Sequence, residues 1–379
     1  MKSDKQSGSN TEETYSAEDL IGLGTGLLVK IGLERDRART VSEILVEGDL
    51  LGHTTHGLAL LPGYLSDLES GNMARDGEPE TLSDRGSAVT WDGRYLPGPW
   101  LVTRAMDLAF GRIGEHPVVT VVIRRSHHIA CLASYLKRAT DRGLLMLLTS
   151  SDPSVRTVAP FGGTEPLYTP NPIAAGIPTH GAPVLLDISV SCTANATVRR
   201  MHTLGKRLPG PWLLDSRGAV TDEPGVLFEE PAGSKPDGPK PDGPKAAGSI
   251  LPLGGTDLGY KGFALGLLVE ALTCALGGHG RKDLPARWGA SVFLQIIDPR
   301  AFGGLEPFLE ETSWLADACL NNPPREGGTP VRLPGTRALE LRSAQLARGV
   351  RLHPTIVPAL EPWAEKLGVP LPKPEARDA

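Results

Sequence analysis

Cysteine is scarce in this sequence: Cys131, Cys192, Cys274 and Cys319 are the four in a chain of 379 residues. They lie far apart and form no CxxC pair, which argues against both a disulfide framework and a thiolate zinc site. Reduced thiols in the cytoplasm are the expectation. Charge of one sign is also lacking. The net charge is −5 and the pI about 6.0, so no basic surface points to nucleic acid or to an anionic membrane. No apolar run reaches the roughly 18 residues that a membrane span needs. The stretch Met1–Tyr15 is polar and acidic, has no apolar segment of the signal-peptide kind, and reads as a disordered tail. Two common catalytic motifs, the GxxxxGK[ST] phosphate loop and the GxSxG nucleophile elbow, are missing. IGLGTG at Ile21–Gly26 imitates a dinucleotide fingerprint, but no strand precedes it and its glycines lie within a helical pattern. A nicotinamide cofactor would have to be held without the usual glycine loop.

The composition is otherwise that of a globular protein, 40% hydrophobic and 22% charged, and long enough for a substantial core. Apolar residues recur at helical spacing from Ser16 to Gly52. Ser16 with Asp19 resembles a capping box, and Gly32 is a stop before a second helix over about Asp36–Asp49. A further helical segment covers Leu60–Leu68. The β-branched run Val118–Ile123 predicts a buried strand, followed by a helix over about Ala130–Arg142 and strands over Leu144–Thr149 and Val184–Ile188. That alternation favours an α/β or α+β core. A Leu-, Ala- and Gly-rich helix, expected to be buried, covers Gly259–Gly277, and a last helix covers about Thr336–Arg348.

Residues 229–248 differ in kind. They repeat PDGPK in tandem and offer no apolar face to offset the entropy of ordering, which predicts a solvated loop.

Nine histidines include two small groups, His53-Thr54-Thr55-His56-Gly57 and Ser126-His127-His128. Imidazole is the usual proton donor or acceptor near neutral pH. Asp187 ends the apolar run PVLLDIS, where a lone carboxylate needs a partner. Lys261 lies among glycines that would admit a close backbone approach to a ligand. Residue by residue, a capping histidine, a strand-end aspartate or a surface lysine accounts for these equally well. His53 and His56 have the i, i+3 spacing of a metal pair, but no third ligand stands at a convincing distance, so no metal is expected.

Six segments, in order, resemble blocks of the malate/L-lactate dehydrogenase-like family: EILVEGDLLGHTTHGLALLPGYL, VVIRRSHHIACLASY, APFGGTEPLYTPNPIAAGIPT, VLLDIS, GYKGFALGLLVEAL and VRLPGT. The resemblance implies a non-Rossmann α/β (α+β) fold. A mostly antiparallel cofactor-binding sheet over 116–324 would join a helical substrate domain over 16–115, completed by about 325–370. It also implies a homodimer, a small-molecule substrate, and NAD or NADP as cofactor for reduction of 2-keto acids or cyclic imines. The proton-donating histidine would be His56, with Thr55 and Asp187 as its partners and His128 beside the cofactor. Cofactor contacts would fall on His128, Ile129, Ala130, Cys131, Leu132, Ser151, Asp187, Ile188, Ser189, Lys261, Gly262, Gly335, Thr336 and Arg337.

The sequence departs from the family pattern at three places. Leu60 stands where an arginine would pair with the substrate carboxylate, a function leucine cannot supply. Ala130 replaces a glycine, and Ala196-Thr197-Val198 replaces a Gly-Lys pair. These changes touch the substrate more than the fold. They leave open a second class of function, a repurposed relative with a non-redox biosynthetic or binding role. Arg156, in a segment longer than the family's, is the candidate to compensate for Leu60.

Replacing residues 229–248 with a short Gly-Ser linker is expected to leave the Tm nearly unchanged, because loops of this composition bury nothing. A drop of several degrees in a thermal melt would show that the segment docks on the body.

Overall fold

The computed structural model describes residues 13–228 and 248–375. The tail expectation therefore lies outside the described residues up to position 12, and the loop expectation does so over 229–247. In chain order the main elements are α1 (Ala17–Lys30), α2 (Arg35–Leu50), α3 (Leu61–Ser70), β1 (Glu80–Asp84), β2 (Ala88–Asp92), α4 (Gly98–Arg112), β3 (Val118–Ser126), α5 (Ala133–Thr140) and β4 (Leu145–Ser151). There follow β5 (Ile173–Ile177), β6 (Val184–Ile188), α6 (Asn195–Thr203), β7 (Leu213–Leu214), β8 (Val220–Thr221), β9 (Ser249–Ile250) and α7 (Gly255–Glu270). The chain closes with β10 (Ala290–Ile297), α8 (Leu305–Leu320), α9 (Thr336–Arg348) and α10 (Ile356–Leu367).

Local chemistry sets the helix ends. Ser16 Oγ accepts the Asp19 N–H at 3.4 Å to start α1, so Ile21–Gly26 is helix interior and not a phosphate turn. Gly32, at φ +104°, supplies the left-handed residue that turns the chain toward α2.

A seven-stranded sheet in the order β1-β2-β3-β10-β4-β5-β6 forms the centre, and every neighbouring pair but β2–β3 is antiparallel. This is the mixed, mostly antiparallel α/β arrangement expected. The β-branched strand β3 pairs with β10 and with β2, and residues such as Val119, Val121, Ile123, Val292 and Leu294 are fully buried. Sheet and helices share one continuous core, into which α1–α5, α9 and α10 all contribute. A smaller core around Val158, Tyr168, Val190, Val198 and Ile250 joins α6 and α7 to the three-stranded sheet β8-β7-β9.

Four expectations are corrected. Tyr15 belongs to the body and not to a tail: it is buried, and its N–H and C=O exchange bonds with Val350 at 3.0 and 2.7 Å. Gly248 is part of the body as well, since a Cβ there would lie 2.5 Å from the Leu214 carbonyl oxygen. A division at position 116 cuts through the sheet, because β1 and β2 extend it from the earlier segment. The fourth correction concerns α7. With a π-turn over Ala271–Ala275 it forms a 21-residue helix whose mean hydropathy of 1.3 is high enough for a membrane span by length and composition. It is far from buried: Leu267 and Leu268 are each 51% exposed. Its glycines meet the body instead, Gly262 against the Leu253 backbone and Gly266 against the Tyr168 ring.

Tyr15→Ala is expected to cost about 3 kcal/mol, the usual penalty for truncating a buried aromatic side chain. Chemical denaturation checks this; a loss under about 1 kcal/mol would place Tyr15 outside the cooperative unit.

Candidate active site

The first histidine group is a turn that follows α2. His53 N–H donates to Gly48 O and His56 N–H to His53 O, both at 2.8 Å. From beneath, the buried Asp49 carboxylate accepts the Leu58 N–H at 2.7 Å and so fixes the far side of the turn. This contact explains Gly57, where a Cβ would sit 2.3 Å from an Asp49 oxygen. Gln345 of α9 adds bonds to the Asp49 and Leu50 carbonyls at 3.0 Å. Asp49 Oδ1 has no partner among the described residues. Burial pushes this carboxyl up to about 7, against the pull of the Leu58 N–H and the Arg200 charge.

His56 Nδ1 meets Thr55 Oγ1 at 2.8 Å. Its ring stacks on that of His128 with centroids 6.1 Å apart, and His128 in turn stacks on Trp288 at 4.9 Å. Tyr64 OH lies 3.0 Å from both His128 Nδ1 and the His128 carbonyl oxygen, and it holds that ring in place. His127 points elsewhere, into the body, where Nε2 lies 3.1 Å from Asp67 Oδ2. Burial, then the charges of His53 and Arg200, lower the His56 imidazole to about 4, and burial lowers His128 well below the ordinary histidine range. Both rings are therefore neutral near pH 7.

Asp187 is not hydrogen-bonded to His56. Its Oδ2 accepts the Ala133 N–H at 2.9 Å and lies 3.7 Å from the Cys131 thiol. The donor atoms of His53, Cys131 and Asp187 all lie within 4.8 Å of one another. The two residues that His53 lacked as metal partners in the sequence are thus supplied by the fold. Burial raises the Cys131 thiol far above its ordinary value, however, so the trio rests as a protonated thiol beside a carboxylate and not as a thiolate ligand. Burial also raises Asp187, with His53 and the Ala133 N–H pulling it down.

Three segments meet on β6 and the residues just after it, around this carboxylate. Ala133 N–H reaches Asp187 itself, Leu253 N–H donates to Val190 O at 2.9 Å just before α7, and Leu185 N–H donates to Pro334 O at 3.1 Å along the open strand edge. Gly335 is required at that edge, since its φ is +86° and a Cβ would lie 2.7 Å from Leu185. The sequence blocks that seemed scattered thus meet around one strand.

Other expected contacts fall differently. The side chains of Ile129 and Leu132 are buried in the core. Ser151 Oγ is engaged internally by Glu270 at 2.7 Å and Arg281 at 2.8 Å. Gly262 is close to backbone of its own chain and not exposed to a ligand. Ala130 holds the left-handed conformation, φ +61°, which explains why glycine suits that position. Arg156 is exposed and makes no hydrogen bond or ion pair among the described residues, whereas Leu60 packs against the main core. On the accessible side there remain His128, Asp187, Ile188, Ser189, Lys261, Thr336 and Arg337.

The cation that does reach the histidine turn is Arg200 of α6, the helix that replaces the Gly-Lys pair. Its Nη1 donates to Thr54 Oγ1 at 3.0 Å and its Nη2 to Thr54 O at 2.9 Å. Nothing local in the sequence marked it: it lies 146 positions from Thr54. Tyr64, Asp67 and Trp288 were missed for the same reason. Asp49 was better marked, as a carboxylate within the apolar EILVEGDLLG run.

Residues 15–361 match the malate/L-lactate dehydrogenase family. The chain belongs to this family. It is 29% identical to an L-lactate dehydrogenase of Cupriavidus necator, over 92% of this chain and 97% of the other. It is 30% identical to a (2R)-3-sulfolactate dehydrogenase (NADP(+)) of Chromohalobacter salexigens, over 90% and 95%. Among solved structures, the Δ1-piperideine-2-carboxylate reductase of Pseudomonas syringae superposes with a TM-score of 0.77 at 26% identity, covering 93% of this chain and all of the other. As a family member the chain is an NAD(P)-dependent dehydrogenase or reductase.

The Asp49 carboxyl gives a pH test. Its raised folded value means that its contribution to stability is complete below the unfolded value of 3.8 and is lost as the pH rises through about 7. Asp49→Asn, which cannot ionise, should therefore gain Tm relative to wild type between pH 5 and 8. A difference in Tm that stays flat over this range would show that Asp49 titrates normally.

Proposed function

We propose that the chain interconverts a 2-hydroxy acid and the corresponding 2-keto acid, with His56 as the group that exchanges the proton. The observation that carries this reading is the His56 ring itself. One nitrogen is engaged by Thr55, the ring is stacked on His128, and the second nitrogen, Nε2, is left for a substrate oxygen.

When bound, NAD(P) accepts or supplies the hydride at the substrate carbon. The residues that fit it are those around β6. The stacked His128 and Trp288 rings offer a flat face to a planar ring, and Asp187 and Ser189, with Lys261, Thr336 and Arg337, carry the accessible polar groups. The buried Ser151 hydroxyl does not fit, because both of its partners belong to the chain.

The chain's own chemistry follows from the protonation state of His56. A neutral imidazole accepts the hydroxyl proton at Nε2 while Nδ1–H donates to Thr55 Oγ1, so the oxidising direction is served at neutral pH. The reducing direction requires the imidazolium, which a bound anion favours by offsetting neighbouring positive charge. Asp187 takes no direct part in this step, since its Oδ2 is bonded to the Ala133 N–H and not to His56.

The sequences of the relatives support acids as the substrate class, since the names of the two dehydrogenases specify lactate and sulfolactate. We also read the chain as a cytoplasmic homodimer. Four free cysteines suit a reducing compartment. The exposed Leu267, Leu268 and Leu276 along α7 and its extension, and Trp314 and Leu315 on α8, suit burial against a second copy.

His56→Ala is expected to reduce kcat by about 10²–10⁴-fold while cofactor affinity stays within a few-fold. Steady-state assays with NADH and NADPH on a panel of keto acids and cyclic imines, with cofactor titration of the variant, check both halves. Near wild-type turnover by the variant would remove His56 from the chemistry. A wild-type enzyme that oxidises neither cofactor with any of the panel would favour the repurposed relative.

A further inference from the structure

We propose that Arg200, carried on α6, is the specificity-determining residue that pairs with the carboxylate of the substrate. The inference rests on the hydroxy/keto acid reading above and names the group that recognises the acid.

An acid bound at His56 leaves its carboxylate out of bulk water, and such a group needs a cation with hydrogen bonds. The side chains near the histidine turn narrow the choice. Leu60 is apolar and packed on the core. Arg156 is exposed on the segment after β4. Arg287 is held away from the histidine turn, its Nη2 bonded to the Gly71 and Asn72 carbonyls and its guanidinium over the Tyr95 ring at 4.0 Å, with Nε unpartnered among the described residues. Arg342 is paired with Glu47 at 2.6 Å.

Arg200 differs from these. It is half-buried and holds Thr54, two residues before His56, by a hydroxyl and a carbonyl. It forms no ion pair with any carboxylate among the described residues. A guanidinium has five N–H donors in a planar fork, and two of its nitrogens are tied to the turn. The remaining donors have the fixed geometry that a carboxylate accepts. Its charge is felt at His56, at Asp49 and at His353, which places the guanidinium between the histidine turn and the segment that follows α9. Arg200 is half-buried, anchored to the turn that carries the proton-exchanging ring, and keeps guanidinium N–H groups beyond those the turn takes up.

The alternative role, holding the turn through Thr54, predicts a different response, so two variants are compared with wild type as full-length protein with saturating cofactor. The readouts are kcat/KM for the best turned over of pyruvate, oxaloacetate and sulfopyruvate, the same for its uncharged amide, and quenching of tryptophan fluorescence by oxalate, a dianion of similar shape. Arg200→Leu is expected to lower the ratio of acid to amide kcat/KM by at least about 30-fold, mainly through KM for the acid, and to weaken oxalate by a similar factor. Arg200→Lys should recover part of both. Thr54→Val, which loses a bond to the turn but keeps the charge, should retain the wild-type ratio. The proposal is overturned if Arg200→Leu depresses acid and amide equally, if it leaves oxalate binding unchanged, or if Thr54→Val reproduces its effect. Failure of the reading it rests on would look different: wild type would neither bind oxalate nor turn over any of the acids, and that result would overturn both.

Discussion

A carboxylate with almost no access to water organises this site. Asp49 lies in the last turn of α2 inside the core, and its bond to the Leu58 N–H, nine positions on, closes the loop in which His53, Thr55 and His56 are displayed. Burying an ionisable group is unfavourable unless its oxygens find donors, and here one oxygen finds Leu58 while the other finds none among the described residues. That imbalance is tolerated because the same contact orders a tight turn: it forbids a side chain at Gly57 and fixes where the His56 ring emerges. A buried oxygen left without a donor is a cost that rigid surrounding elements must hold in place. The rigid elements are α2 below and α9 to the side, with Gln345 clamping the last carbonyls of α2.

β6 carries Asp187, the other carboxylate of the candidate site. An edge strand normally exposes a row of unpaired backbone groups, and the Pro334–Gly335 segment covers this one. The covering requires glycine at 335 on two independent grounds, a positive φ and a backbone approach that leaves no room for Cβ. The two ends of the chain thereby become interdependent. α9, which follows that segment directly, also holds the Asp49 end of α2, so a displacement of the strand edge would be transmitted to the histidine turn. The shared core of sheet and helices makes this transmission stiff, since close-packed interiors deform little.

Much of this was legible in the sequence, and the parts that were not have physical reasons. Helix boundaries marked by Ser16 and Gly32, and strands marked by β-branched runs, emerge within a few residues, because those signals are local. The π-turn after Glu270 and the exposure of α7 were not legible: a Leu- and Gly-rich helix reads as buried whether its glycines or its leucines face the body. In α7 it is the glycines that do. Tyr15 was read as tail because its acidic neighbours dominate the composition, while its burial depends on a pairing with Val350 at the opposite end of the chain. At the site, the six family blocks located the histidine turn, the His128 segment and Asp187. They could not show that Asp187 lies with His53 and Cys131, since partner choice among side chains a few ångströms apart is set by backbone placement and not by motif.

The departures from the family pattern become intelligible when Leu60 and α6 are considered together. At position 60 leucine stands in place of the family's arginine and packs against the main core. Ala196-Thr197-Val198 in place of the Gly-Lys pair removes a residue of low helix propensity and a second cation. These residues lie in a nine-residue helix without glycine, α6, and a helix projects its side chains at defined angles. Val198 faces inward to the smaller core, and Arg200, two positions on, faces the histidine turn. One guanidinium, that of Arg200, is bonded to the turn that carries His56. On the reading proposed above, the charge that meets an acid reaches His56 from α6 and not from position 60. The changes at Leu60 and along α6 then form one coupled change in how an acid is held.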